Sequence, residues 1–236
     1  MNQGTSWKTL CQAFEEAISE KRVTHALFTT YQFNPLFFET TVIPLMLNSE
    51  EGLSEHTGFR RLQVEELLKE NPLEMAVFFD GSTELQSFPW LSYQAIPVNQ
   101  GSAFHGKVII LRLQNDNNQV QWILGAGSAN LTQAGWWENI EGFNFTPPFD
   151  PRMPPSSLLA GLHDLLSFLD TQIHVGSDNV VSFLKNELGI SGGPTKSELG
   201  WFGAFIPGKT RFVEWLRNHL PTRKSKAEYL EFISPY

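Results

Sequence analysis

The amino-acid sequence predicts an α/β layer fold. Helix-spaced and strand-like segments alternate through the first 145 residues, the pattern of a sheet covered by helices. Hydrophobic residues make up 41% and aromatic residues 13% of the 236, enough for a sizeable core in one large domain or two small ones.

Taken in order, Trp7, Leu10, Cys11, Phe14, Ala17 and Ile18 recur at helical spacing, so residues 7–19 form a helix. Its apolar stripe holds Cys11, which is read as structural; a single cysteine allows no internal disulfide and fits a reducing compartment. Residues 23–31 are β-rich, 36–47 apolar and helical, and 59–70 helically spaced. Strands follow at 74–80, 91–98, 107–113, 121–125 and 141–145. Asn115, Asp116, Asn117 and Asn118 between two of them predict a hairpin turn. Residues 146–155 (TPPFDPRMPP) are a proline-rich connector. Helices are expected at 156–172 and 179–188, a Gly/Pro break at 191–195, a strand at 199–206 and a helix at 210–220. Residues 221–226 read as an exposed basic linker, and 229–236 (YLEFISPY) as a further strand. A chain that stops on a strand suggests a fragment.

A formal net charge of −8 argues against a generic nucleic-acid coat, which would be basic, but permits a small basic cleft. The start MNQGTSWKTL has neither the basic nor the apolar region of a signal peptide. No run of about 18 apolar residues occurs, so a membrane span is not expected and the cytoplasm is the expected location.

Chemistry concentrates in residues 105–145. His105 and Lys107 lie two apart on a strand-like run, so their side chains share a face. Gly127, Ser128, Ala129 and Asn130 form a corner after the next strand, and Glu141 lies eleven positions beyond Asn130. A nucleophile ringed by cationic and neutral donors suits attack on a phosphodiester. Singly, each residue has a plainer reading: a core histidine, a solvated lysine, a turn asparagine followed by the helix-capping Thr132, a surface glutamate.

This combination resembles the phospholipase D superfamily, most closely its tyrosyl-DNA phosphodiesterase branch and related bacterial nuclease-like proteins. The wider superfamily commonly places an Asp five residues after the Lys. Here that position is Arg112, and the tyrosyl-DNA phosphodiesterase branch also lacks the Asp. Trp136–Trp137, residues 203–212 (GAFIPGKTRF) and the terminal YLEFISPY add weaker likeness. The resemblance implies a phospholipase D-type lobe, a mixed sheet flanked by helices on both faces. Residues 1–226 would be the first lobe and 227–236 the start of a second, missing one. It implies metal-independent and cofactor-free phosphodiester cleavage through a phosphohistidine on His105. Lys107 and Asn130 would hold the non-bridging oxygens, Glu141 would orient the imidazole, and Ser128 would contact phosphate. The implied partner is single-stranded or end DNA, with no membrane.

One departure is plain. The family uses two His-x-Lys motifs, whereas His25, His56, His163, His174 and His219 have no Lys two residues on. A full site would need a homodimer or a covalently linked second lobe. Rival readings are a catalytically silent nucleic-acid-binding or assembly module, a phospholipid phosphodiesterase, and a P-loop protein. The last rests on residues 203–210 (GAFIPGKT), which match G-x-x-x-x-G-K-[ST] and make Lys209 a phosphate-binding candidate. Against it, Phe205 and Ile206 are bulky where backbone should wrap phosphate, and no apolar strand ending in Asp follows. Trp136 or Trp137 could stack on bases, although core packing suits at least one. Arg60, Arg61 and the run Arg223, Lys224, Ser225, Lys226 read as solvated surface or linker before DNA contacts.

Overall fold

The computed structural model describes residues 8–19, 21–49, 52–115, 117–173, 179–193, 202–205 and 211–219. The fold is α/β, built on a six-stranded mixed sheet. The chain divides into two units, Met1–Pro148 and Phe149–Tyr236. The division falls inside the proline-rich connector.

The first unit opens with α1 (Leu10–Ile18), capped by Thr9, whose hydroxyl accepts from the Gln12 N–H while the Gln12 side chain accepts from the Thr9 N–H. Strand β1 (Arg22–Thr30) follows. The predicted helix 36–47 is present in three pieces: α2 (Pro35–Phe37), a π-helix (Phe38–Val42) and α3 (Ile43–Met46). Pro44 has no N–H to donate back along the helix, which accounts for the wider π turn ahead of it. Helix α4 (Thr57–Glu70) leads into β2 (Glu74–Asp80), and β3 (Gln94–Val98), β4 (Val108–Gln114) and β5 (Val120–Gly127) follow. A second π-helix (Ala134–Glu138) precedes β6 (Phe143–Phe145).

The strands lie in the order β3-β2-β1-β4-β5-β6. β1, β2 and β3 are mutually parallel, while β4, β5 and β6 each run antiparallel to their neighbours. The predicted hairpin joins β4 to β5: Asn115 accepts from the Asn117 and Gln119 N–H groups, and Asn118 takes a left-handed φ of 59°. α1 lies over one face of the sheet, where Phe14 packs on Phe28, Trp136 and Phe145. Cys11 is buried in this core, as its helical stripe predicts.

Because β1 is central, the parallel strands β1 and β2 end at the sheet edge where antiparallel β4 begins. That edge is assembled by hydroxyls. Thr29 Oγ1 accepts from the Val108 N–H at 2.8 Å, and Thr30 Oγ1 accepts from the Leu131 N–H at 2.9 Å. Two segments 23 residues apart, at Val108 and Leu131, are thereby tied to consecutive residues of one strand.

In the second unit, α5 (Ser156–Asp170) buries Leu158, Leu162, Leu165, Leu166 and Leu169. It packs with α6 (Val180–Glu187), which Asn179 caps through the Ser182 N–H. Helix α7 (Phe212–His219) matches the predicted segment 210–220. The predicted strand 199–206 is corrected where it is described, since residues 202–205 form no strand. The Phe202 N–H is taken by the Ser157 carbonyl rather than by a strand partner. Phe205 instead packs on Phe212 and Trp215. The predicted segments 221–226 and 227–236 lie outside the described residues.

Candidate active site

The His-Lys pair sits one step short of its predicted position. His105 and Lys107 lie in extended chain immediately ahead of β4, not within it. The consequence is contact rather than parallel projection. Lys107 Nζ lies 2.5 Å from His105 Nδ1 and 3.4 Å from Nε2, and donates to the His105 carbonyl at 2.9 Å. Lys107 is only 5% exposed. Its chain is pinned by the Gly127 N–H, which donates to the Lys107 carbonyl at 3.2 Å.

Electrostatics divide the pair. Burial drives the Lys107 pKa down to about 8 against an opposing pull from Glu141. Burial and the neighbouring Lys107 cation hold His105 below its ordinary 6.5, with Asp80 pulling the other way. At neutral pH the pair therefore carries one charge, with Lys107 the cation and His105 neutral. The ammonium donates to Nδ1, which leaves the ring proton on Nε2.

Asn130 follows β5 at the same edge. Its Oδ1 accepts from the Gln32 N–H at 3.2 Å, which assigns the carbonyl end inward and leaves the Nδ2 end as the donor. Ser128 Oγ donates a short hydrogen bond to Glu141 Oε2 and accepts from the Gly142 N–H at 3.1 Å. Glu141 also accepts from Asn139 Nδ2 at 3.3 Å. The partners of Glu141 are thus Ser128 and Asn139, and its field falls on Lys107 rather than through a hydrogen bond to His105. Gly127 has to be glycine: an added Cβ would stand 2.2 Å from the Gly142 carbonyl oxygen, forcing β5 off the Glu141 segment.

Trp136 is corrected as a substrate contact. It is 2% exposed and wedged between Phe14 and Phe37 in the core, so its face is not presented to a base. Trp137 is 50% exposed. Lys209 lies outside the described residues, and residues 202–205 ahead of it supply no strand for a P-loop. Arg60 and Arg61 are committed to the protein: Arg60 Nε donates to the Thr40 carbonyl, and Arg61 lies 2.6 Å from the buried Glu39 carboxylate. Arg112, at the position of the superfamily Asp, donates to Thr24 Oγ1 within the sheet.

Two residues at this edge were not singled out from the sequence. The Tyr31 ring stacks on His105 at 4.6 Å between centroids and 25° between planes, and Lys107 Nζ lies 5.6 Å from its centre. Asp80 ends β2 and exerts its charge on His105. Their signal is an apolar strand that closes on a polar residue, as in FTTY and VFFD. In an open α/β sheet such strand ends are where sites assemble.

Among solved structures, the chain is similar to yeast tyrosyl-DNA phosphodiesterase. One structure aligns with a TM-score of 0.47 at 10% identity, covering 75% of this chain and 38% of that one. Two mutant forms align at 0.46 and 0.44, with 10% and 11% identity over 75% and 74% of this chain. The chain spans well under half the length of those structures, 37% of each mutant form. No protein-family model and no curated protein matches the sequence.

Proposed function

We propose that this chain supplies one half of a metal-independent phosphodiesterase site, with His105 as nucleophile and DNA ends as substrate. The observation that carries the reading is the buried Lys107 cation held against a neutral imidazole at a sheet edge. In the resting pair the ammonium occupies the imidazole lone pair. A non-bridging phosphate oxygen is a stronger acceptor for that ammonium. Arrival of the phosphodiester draws Lys107 off the ring, frees the lone pair, and places the cation where transition-state charge develops. The imidazole nitrogen then bonds to phosphorus as the leaving-group P–O bond breaks. Water later cleaves the P–N bond and restores the histidine. Asn130 Nδ2 is the second donor to the phosphoryl oxygens. Ser128 and Glu141 act as a unit that keeps a negative charge beside Lys107.

The leaving oxygen needs a proton, and the sequence holds a single His-x-Lys motif, whose histidine is the nucleophile. A second His-x-Lys motif, from a second copy or from a linked lobe, would supply it. DNA as the substrate rests on the resemblance of the motif to the tyrosyl-DNA phosphodiesterase branch.

The test is turnover of a single-stranded oligonucleotide with a 3′-tyrosyl reporter, in EDTA, by wild type and His105→Ala, with the phosphoenzyme trapped by acid-free quench. EDTA-resistant turnover and a phosphoenzyme, both lost in His105→Ala, are expected once the second motif is present. Activity surviving in His105→Ala overturns the mechanism. The single His-x-Lys motif favours one other reading, a silent nucleic-acid-binding module. DNA binding without turnover, even with a second motif supplied, would establish that reading instead.

A further inference from the structure

We propose that Asp80 is the positioning residue of His105, bracketing the imidazole by tying both the chain that carries it and the ring that stacks on it to the end of β2. This deepens the reading of His105 as nucleophile and rests on it. The geometry assigns Asp80 two distinct tasks. Its carboxylate accepts from the Phe104 N–H, immediately before His105. Its own N–H donates to the Tyr31 carbonyl at 3.3 Å, immediately beside the ring that lies over His105. Asp80 is 2% exposed, and its Oδ1 is locked by the Ser82 N–H at 2.9 Å and the Ser82 hydroxyl. The carboxylate therefore has one orientation, set before any substrate arrives.

The charges facing His105 are few. Lys107 presses on Nδ1 and opposes protonation of the ring, and Asp80 favours it. Glu141 acts on Lys107, held in its own bonds to Ser128 and Asn139. The two carboxylates thus divide between the two members of the pair: Asp80 serves the histidine and Glu141 the lysine. Burial works to raise the Asp80 pKa, but the bonds from Ser82 and Phe104 outweigh it and hold the carboxyl below its ordinary range, so the charge persists at neutral pH.

The test is NMR on the full chain, following the His105 ring resonances through a pH titration and the exchange of the Phe104 amide. The variants are Asp80→Asn and Glu141→Gln. Asp80→Asn is expected to lower the His105 midpoint, weaken the Tyr31–His105 ring contact, and speed Phe104 amide exchange about tenfold, as loss of a charge-assisted bond implies. Glu141→Gln is expected to move the Lys107 midpoint more than that of His105. A folded Asp80→Asn with an unchanged His105 midpoint and ring contact would overturn the proposal, as would a larger His105 shift in Glu141→Gln. Should Asp80→Asn not fold, Ser82→Ala decides: it removes the hydroxyl bond to the carboxylate and keeps the backbone N–H bond, so Phe104 exchange should speed by less than about tenfold, and unchanged Phe104 exchange refutes the bracket. None of these readouts needs turnover. Failure to trap a phosphoenzyme beside an intact Asp80 effect sinks the nucleophile reading alone.

Discussion

Replacing Lys107 with methionine should stabilise this protein while abolishing any activity. The ammonium is 5% exposed, and its pKa falls from 10.5 to about 8 on burial. A folded-state pKa below the unfolded value means that the unfolded chain binds more protons between those two pH values. Stability from this group therefore rises with pH across about 8 to 10.5 and is lowest below about 8. The drop corresponds to about 3 kcal/mol of destabilisation at pH 7. Methionine matches the stem in volume and removes the charge. It gives up the bonds to the His105 ring and carbonyl, which offset about 1 kcal/mol. A net gain of about 2 kcal/mol is expected at pH 7. The assay is urea denaturation of wild type and Lys107→Met at pH 7 and at pH 10. Other titrating groups, including Tyr93, whose phenol burial and the nearby Glu39 keep neutral, are common to both proteins and cancel. The advantage of the variant should shrink toward zero at pH 10. A Lys107→Met protein less stable than wild type at pH 7, or an advantage independent of pH, would refute the argument that a buried cation is held here at a cost in stability.

The same two pKa directions predict a bell-shaped activity profile for the completed enzyme: activity rises as His105 deprotonates below 6.5 and falls as Lys107 loses its proton near 8. An alkaline limb that stays flat to pH 10 would mean that Lys107 is not the required cation. Trp136→Ala should cost about 3–5 kcal/mol and Trp137→Ala less than about 0.5 kcal/mol, read by thermal or urea denaturation, because only the first ring is packed in the core. Glu39→Ala should destabilise by about 3–5 kcal/mol. It strips the partner from Arg61 and the acceptor from the Trp90 and Leu91 N–H groups and the Tyr93 hydroxyl. A Glu39→Ala protein that melts with wild type would remove the buried ion pair from the account.

The contiguous features of this chain were legible in its sequence. The apolar stripe of α1, the bounds of β2 and the Asn-rich hairpin between β4 and β5 all arise from neighbours a few residues apart. Local periodicity and turn chemistry are sufficient to specify them. The motif residues His105, Lys107, Ser128, Asn130 and Glu141 were picked out by their combination, which gained its meaning from a family resemblance rather than from local periodicity. Residues 199–206 misled because an apolar run does not declare its partner: Phe202 found a helix backbone and Phe205 found two aromatic rings. Which carboxylate faces which member of the His-Lys pair could not be read in advance. Tyr31, Asp80 and His105 come together only because β1 and β2 are parallel neighbours and β4 enters antiparallel beside β1. Likewise Trp136 and Trp137 are adjacent in sequence, and only the π turn that carries them sends one ring into the core and the other to solvent. The sequence by itself determined most of the first unit's elements and the motif residues able to do chemistry. The tertiary structure decided their partners, because strand order and register bring together side chains too far apart along the chain for local pattern to link.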